Sequence, residues 1–329
     1  MTRVLVLGHD DVLAALTPPE CADAMAGVLA AHARGEAYMP LRSVMMAPGA
    51  SGLLGLMPAW RGGETAVFSL KAVCVMPGNP ARGLDAHQGI VGLFDGETGI
   101  PTAILNGSAV TAVRTAAVSA VATRVLARDD ARVLSILGAG VQARAHLDAL
   151  AGVREFESIR VYSPTAAHAR ALADAHGNGD VAVDVAPSAE EAVRGADVVV
   201  LATNSREPVI DREWLAPGAH VNAIGASTPA ARELDVATVV ASVLFCDSRE
   251  SLRNEAGEFR LAVQEGAISG EDHVRGELGE VLAGVRPGRV DPSELTLFRS
   301  LGLAVEDLAA AEHAVAAARR LGVGSEVEL

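Results

Sequence analysis

Residues Arg132-Val-Leu-Ser-Ile-Leu-Gly138-Ala139-Gly140-Val141-Gln142-Ala143 decide the fold. The run 133–137 is short and apolar, as a fully buried strand is. Gly138 permits a tight turn, Gly140 lets the backbone approach a bound phosphate, and Ala143 lets the next helix pack closely on the strand. The pattern is G-x-G-x-x-A. It predicts a pyrophosphate seated on the helix N-terminus, where unpaired N–H groups and the helix dipole favour an anion. Alone, such a motif is only a tight strand-to-helix turn, so its surroundings decide its meaning.

Those surroundings alternate strand and helix. Apolar runs at 159–162, 181–185, 198–202, 220–224 and 243–246 follow the first strand, with helical stretches at 141–151, 166–176 and 189–194 among them. Six buried-type strands with intervening helices predict a Rossmann-type doubly wound parallel sheet. Upstream, residues 1 to about 107 read as a mixed-sheet region. Thr17-Pro18-Pro19-Glu20 predicts a helix start with a capping box, and the helix should run to about Arg34-Gly35. Strand-like runs follow at 41–47, 53–58, 67–76, 89–94 and 100–105, separated by Gly and Pro. A long Ala- and Thr-rich helix, 108–126, should connect the two regions. A last helix, 302–321, carries an apolar stripe (Leu303, Leu308, Ala311, Val315) that needs a partner surface. The tail after Gly322 is expected to fray.

Length and composition agree with two domains. The chain has 329 residues, half of them hydrophobic and 21% charged, enough for sizeable cores and too apolar for disorder. Its net charge of −14 disfavours nucleic acid and anionic membrane surfaces as partners. Cys21, Cys74 and Cys246 lie far apart and in no metal-ligand spacing, so no metal is expected and a reducing cytoplasm fits. The N-terminal apolar stretch is too short for a signal peptide and reads as a strand, and no apolar run is expected to approach the length of a membrane helix.

The second strand of the alternating region ends at Val161-Tyr162-Ser163-Pro164-Thr165. A carboxylate about 20 residues beyond the glycines usually receives the ribose 2′-hydroxyl of NAD. Ser163 stands there instead, with Thr165 and Arg170 nearby, so a 2′-phosphate meets no repulsion. NADPH is therefore slightly favoured over NADH, although Ser163 and Thr165 also suit a plain helix cap. Ala202-Thr203-Asn204 and Asn222-Ala-Ile224-Gly225-Ala-Ser227 close the fourth and fifth strands. Ligands bind at such carboxyl ends, so these two should face the nicotinamide half.

The first region supplies the cations. Of 27 basic residues, 26 are arginine; the single lysine is Lys71, inside the apolar run Phe68-Ser-Leu-Lys71-Ala-Val-Cys-Val. Against so Arg-biased a background, a lone lysine hints at a position that needs an amine, because arginine cannot lose its proton near neutrality. Arg42 and Arg114 suit a bidentate grip on a carboxylate. His87 is a candidate titrating group, at the cofactor edge as readily as in catalysis.

These stretches carry a resemblance. Leu56-Met-Pro-Ala59, the Lys71 strand with Pro77-Gly-Asn-Pro80, Ala86-His87-Gln88-Gly89 and Thr111-Ala-Val-Arg114-Thr-Ala-Ala117 belong to it. So do Ile136-Leu-Gly138-Ala-Gly140-Val-Gln142-Ala143, Pro217-Gly-Ala-His220-Val-Asn222-Ala-Ile-Gly225-Ala-Ser227, Glu233-Leu-Asp235, Glu277-Leu-Gly279-Glu280-Val281 and Ser300-Leu-Gly302-Leu-Ala-Val-Glu306-Asp307. Over nearly its whole length the chain resembles the ornithine cyclodeaminase/mu-crystallin family. The resemblance implies a homodimer. It also implies a substrate-binding and dimerisation domain over 1–115 with 301–329, and a dinucleotide-binding domain over 116–300. It places Lys71 on the catalytic lysine, and Arg42 and Arg114 where the substrate carboxylate is held, Arg114 also lying near the cofactor. Ala86, His87, Thr203, Asn204 and Ser300 match cofactor contacts. They join Gly138, Ala139, Gly140, Val141, Gln142, Ser163, Thr165, Ile224 and Gly225.

One departure separates the branches. Cyclodeaminase and alanine dehydrogenase members carry an Asp that handles the substrate amine; Ser227 stands there, as in the mu-crystallin branch. A second departure, Pro164 where that branch has Arg, weakens the preference for NADPH. The expectation is an NAD(P)H-dependent imine or ketimine reductase. It would convert an α-imino acid, cyclic or formed from a keto acid and an amine, to an amino acid. Ornithine cyclodeaminase or amino-acid dehydrogenase activity is the enzymatic alternative, and a non-catalytic NADPH- or small-ligand-binding protein is the alternative of another class.

Overall fold

A computed structural model of the chain describes residues 3–176, 181–225 and 228–329. It divides into two compact units, Met1–Ala117 with Gly302–Leu329, and Val118–Leu301. The chain leaves the first unit within the helix Gly107–Leu126 and returns to it after Leu301.

The first unit is built on a mixed sheet. Its strands are β1 (Arg3–Leu7), β2 (Ala37–Tyr38), β3 (Ser43–Met45), β4 (Leu53–Arg61), β5 (Val67–Val75), β6 (His87–Asp95) and β7 (Pro101–Asn106). With the C-terminal strand Ser325–Glu328 they are ordered Ser325–Glu328, β1, β7, β6, β5, β4, β2, and β3 pairs with β4 off that path. In the antiparallel core Lys71 lies between Met57 on β4 and Val91 on β6. Side chains alternate across a strand, so Ser69, Lys71 and Val73 share one face, and all three are buried. The helix Ala304–Leu321 lies on that face against β4, β5 and β6, with the helix Pro18–Ala33 beside it. The partner surface that its apolar stripe requires is therefore this sheet and helix.

The second unit is an eight-stranded, wholly parallel sheet. Its strands are β8 (Val133–Leu137), β9 (Ser158–Tyr162), β10 (Val183–Val185), β11 (Val198–Leu201), β12 (His220–Ala223), β13 (Val243–Cys246), β14 (Val274–Glu277) and β15 (Thr296–Arg299). Their order is β10, β9, β8, β11, β12, β15, β13, β14. The chain winds outward from β8 and then crosses to β11, so the doubly wound expectation holds. Val198, Val199, Val200 and Leu201 are all buried, as strands covered on both faces are.

Four expectations need correction. The parallel sheet has eight strands rather than six. Strands β14 and β15 are four residues each; β14 carries Arg275 and Glu277, and β15 ends on Arg299, so neither forms an apolar run. The C-terminal tail does not fray: Ser325–Glu328 pairs antiparallel with β1, Arg3 opposite Glu328 and Val6 opposite Ser325. Its residues are exposed and held by backbone pairing, which leaves no apolar signature. The Thr17 hydroxyl donates to the Glu20 carboxylate at 2.7 Å, so it does not cap a backbone N–H of the helix Pro18–Ala33. Finally, the helix Gly107–Leu126 is long and apolar enough to cross a membrane, but 78% of its most apolar window is buried inside the protein, as in a core helix.

Candidate active site

In the first unit the structure gathers the predicted cations around two buried carboxylates. The Lys71 Nζ donates to both oxygens of Asp307, at 2.9 and 3.0 Å. Arg114 donates through Nε to Asp307 at 3.0 Å and through Nη1 to Glu306 at 2.9 Å. Lys71, Arg114, Glu306 and Asp307 are each at most 4% exposed. Arg42, half-buried before β3, donates through Nη2 to the Gly302 carbonyl at 2.7 Å. Gly302 has φ of +79°, and a Cβ there would lie 2.6 Å from Arg114 Nη1. The absent side chain thus gives the guanidinium its place.

Local sequence explains the arrangement. Leu303 to Glu306 starts the helix Ala304–Leu321, with the Glu306 carboxylate accepting from the Leu303 N–H at 3.0 Å. Glu306 and Asp307 lie in the first turn, where the helix dipole favours negative charge. Charges buried this deeply persist only when paired.

The electrostatics follow. Burial pulls the Lys71 ammonium down to about 8, against the opposing pull of Asp307 and with the help of Arg114 and Arg42. Burial pushes the Asp307 carboxyl up, but Arg114 and Lys71 outweigh it and hold it below its usual range. His87 begins β6 and keeps solvent access. Crowding by protein atoms, then the charges of Lys71 and Arg114, lower its imidazole to about 4; for a solvent-facing ring the cations are the firmer cause. Near neutral pH it is uncharged. The adjacent Ala86 is half-buried.

In the second unit the nucleotide motif has its expected form. Gly138 has φ of +116°, and a Cβ there would meet the Ala202 carbonyl at 2.3 Å, so only glycine fits where β8 and β11 diverge. Gly140 precedes the helix Val141–Leu150 with no side-chain cap, and nothing lies within 4 Å of where its Cβ would be. The open space, the uncapped N–H groups and the neighbouring Ala139, Val141 and Gln142 fit a pyrophosphate. Ser163 Oγ accepts from the Thr165 N–H at 3.3 Å, placing both hydroxyls in the turn after β9. Thr203 with Asn204 follows β11, Ile224 with Gly225 follows β12, and Ser300 follows β15; β12 lies between β11 and β15 in the sheet. Ser300 Oγ is buried and has no hydrogen-bond partner among the described residues. Ser227 lies outside the described residues.

Four contributors escaped the sequence reading. Asp307 and Glu306 sit in a quoted motif, but their partner Arg114 is 193 and 192 residues away. Their one signal was two adjacent acids inside an otherwise apolar helix start. Glu233 is buried and accepts from the Thr203 N–H and Oγ1, both at 2.7 Å, and from the Gly225 N–H at 2.7 Å. His146 Nδ1 lies 2.7 Å from the Gln142 carbonyl and its Nε2 2.9 Å from Ser119 Oγ. A carbonyl only accepts, so Nδ1 carries the proton and Ser119 donates to Nε2. Burial keeps this imidazole neutral, at about 4.

Comparison with known proteins agrees with this architecture. The model of the ornithine cyclodeaminase/mu-crystallin family matches residues 3–319. The ketimine reductase mu-crystallin of Mus musculus is 41% identical over 278 residues, 84% of each chain. The Delta(1)-pyrroline-2-carboxylate reductase of Thermococcus litoralis, solved with NADH and L-proline, superposes with a TM-score of 0.94 at 36% identity, over 98% of this chain and 100% of that one. An archaeal alanine dehydrogenase dimer with bound NAD superposes with a TM-score of 0.93 at 34% identity, over the whole of both chains.

Proposed function

The chain belongs to the ornithine cyclodeaminase/mu-crystallin family, and we propose that it is an NAD(P)H-dependent reductase of α-imino acids, cyclic or formed from a keto acid and an amine. The observation that carries this reading is the buried ammonium of Lys71 beside two arginines. Arg42 and Arg114 hold the substrate carboxylate, for which planar guanidinium groups are suited. A bound reduced nicotinamide supplies the hydride that the imine carbon accepts. Lys71 gives the proton that the nitrogen gains, so C=N becomes CH–NH. With its pKa drawn to about 8, Lys71 is mostly charged at pH 7 yet close enough to neutrality to release a proton. Reduction asks for no carboxylate base, which suits Ser227 in place of the family's Asp.

We infer likewise how the chain holds its cofactor and assembles. Gly138, Gly140 and the N-terminus of the helix Val141–Leu150 hold the pyrophosphate. Ser163 and Thr165 meet the ribose. Thr203, Asn204, Ile224, Gly225 and Ser300, together with Ala86 and His87, serve the nicotinamide half, and either NADH or NADPH is accepted. The protein is a cytoplasmic homodimer; Cys21, Cys74 and Cys246 lie far apart in the sequence, which suits a reducing compartment. The dimer buries the sheet face of the first unit opposite Lys71, where Leu56, Phe68 and Ile90 are 37%, 48% and 48% exposed. That the archaeal alanine dehydrogenase is a dimer supports the two-fold assembly.

The test is a panel of cyclic imines, and of keto acids with ammonia or methylamine, each assayed with NADH and NADPH. Cofactor oxidation with at least one imine is expected. Tight cofactor binding without turnover on any of them would favour a binding protein instead.

A further inference from the structure

We infer that Asp307 is a positioning residue that holds the Lys71 amine charged and oriented for proton delivery. The inference rests on the reading of Lys71 as the proton donor. Both Asp307 oxygens face Nζ, at 2.9 and 3.0 Å, so the ammonium is fixed by two contacts, with a third N–H left for a substrate atom. Asp307 also accepts from Arg114 Nε at 3.0 Å. One carboxylate therefore sets the spacing between the proton donor and a carboxylate-binding guanidinium. Glu306 takes the other side of Arg114, so the guanidinium is gripped by two acids from a single helical turn.

The charges around Lys71 make this counter-ion necessary. Arg114 comes from the helix Gly107–Leu126, Arg42 from the segment before β3 and His87 from the start of β6, with Asp85 near His87. Both arginines and the burial of Lys71 drive its proton off; Asp307 is the group that holds it on. Cys21 lies near Arg114 and Glu306, but burial pushes its thiol up to about 12, so it adds no charge.

The lone lysine makes the test direct. Labelling with lysine carrying 13C at Cε gives one side-chain resonance, whose shift with pH reads the Lys71 pKa without any assay of turnover. In Asp307→Asn the pKa should fall by about 1 to 3 units, the usual effect of losing an adjacent opposite charge. The alkaline limb of kcat/KM for imine reduction should fall by the same amount. At pH 8 that is about a 5-fold loss for a fall of one unit and a larger one beyond it. Asp307→Glu keeps the charge and should restore most of the shift. A folded Asp307→Asn whose resonance titrates like the parent's overturns the inference, whatever happens to turnover. A resonance that moves while the limb stays put supports the hold of Asp307 on Lys71 and instead overturns the reading of Lys71 as proton donor. If Asp307→Asn does not fold, the unmodified protein decides: an amine that is mostly neutral at pH 7 overturns the inference, and one that is mostly charged there supports it.

Discussion

One oxygen of the Glu233 carboxylate accepts from both the N–H and the hydroxyl of Thr203, each at 2.7 Å. Its other oxygen takes the Gly225 N–H at the same distance, so one buried side chain ties the segments that follow β11 and β12. Burial pushes this carboxyl up to about 7, against Arg299 and the three donors. An acid whose pKa is raised by folding binds its proton more tightly in the folded state. Its contribution therefore lowers stability as pH rises from about 4.5 through about 7. Glu233→Gln should remove that slope, measured as Tm against pH for both proteins. It should also cost about 1–3 kcal/mol at acid pH, because the new amide nitrogen faces the Gly225 N–H. Parallel Tm profiles for the two proteins would remove Glu233 as the titrating group.

Lys71→Met should lower imine reduction by at least about 100-fold, the usual worth of a positioned acid. Cofactor affinity should change little, because Lys71 belongs to the first unit and the glycine motif to the second. Lys71→Arg should not rescue, since guanidinium keeps its proton near neutrality. In the parent protein kcat/KM should decline above about pH 8, where the donor loses its proton. Single-turnover rates, cofactor titrations and a pH profile of kcat/KM check all four.

Ser163→Asp should turn cofactor preference towards NADH. The new carboxylate can still accept the Thr165 N–H that Ser163 accepts at 3.3 Å, so the turn survives while a 2′-phosphate is repelled. The ratio of kcat/KM values for NADPH and NADH should fall by about 10-fold or more, since each ~1.4 kcal/mol is a factor of ten. An unchanged ratio would show that Ser163 does not meet the ribose.

Gly302→Ala puts a methyl group 2.6 Å from Arg114 Nη1 at a φ of +79°. The backbone conformation costs an alanine about 1–2 kcal/mol. The displaced guanidinium should raise KM for the imino acid more than it lowers kcat, because its work is to hold the carboxylate. Steady-state kinetics and thermal melts separate the two effects; a normal KM would detach Arg114 from substrate binding.

Ser227→Asp should raise any oxidative activity towards free amino acids. Oxidation must first take a proton from a substrate ammonium, which a serine hydroxyl is too weak a base to do, whereas a carboxylate is suited to it. The unmodified protein should therefore reduce imines and cyclise ornithine weakly or not at all. Robust conversion of ornithine to proline would reverse that order.

Much of this was legible in the chain because local rules govern it. Gly138 and Gly140 announce their turn through backbone freedom alone, and the lone lysine stands out by composition. What stayed hidden depends on distant partners. Glu306 and Asp307 look like ordinary acids in a helix's first turn, and only the folded sheet brings Lys71 to Asp307, 236 residues away. Glu233 likewise reads as one surface acid among many until β11 and β12 lie side by side. Strand order is subtler still: nothing in residues 296–299 says that they insert between β12 and β13.

That insertion has a consequence for synthesis on the ribosome. Strand β15 is the last of its sheet to be made, yet it occupies an interior position. Until residue 299 emerges, β12 and β13 have no neighbour on their facing edges, and β13 is apolar throughout. The first unit waits longer, because its covering helix Ala304–Leu321 and edge strand Ser325–Glu328 follow β15 in the chain. Both sheets thus pass through an open-edged stage, in which parallel pairing across long sequence separations is slow and exposed edges invite association. Nascent chains stalled before residue 296 should be the species most in need of chaperones.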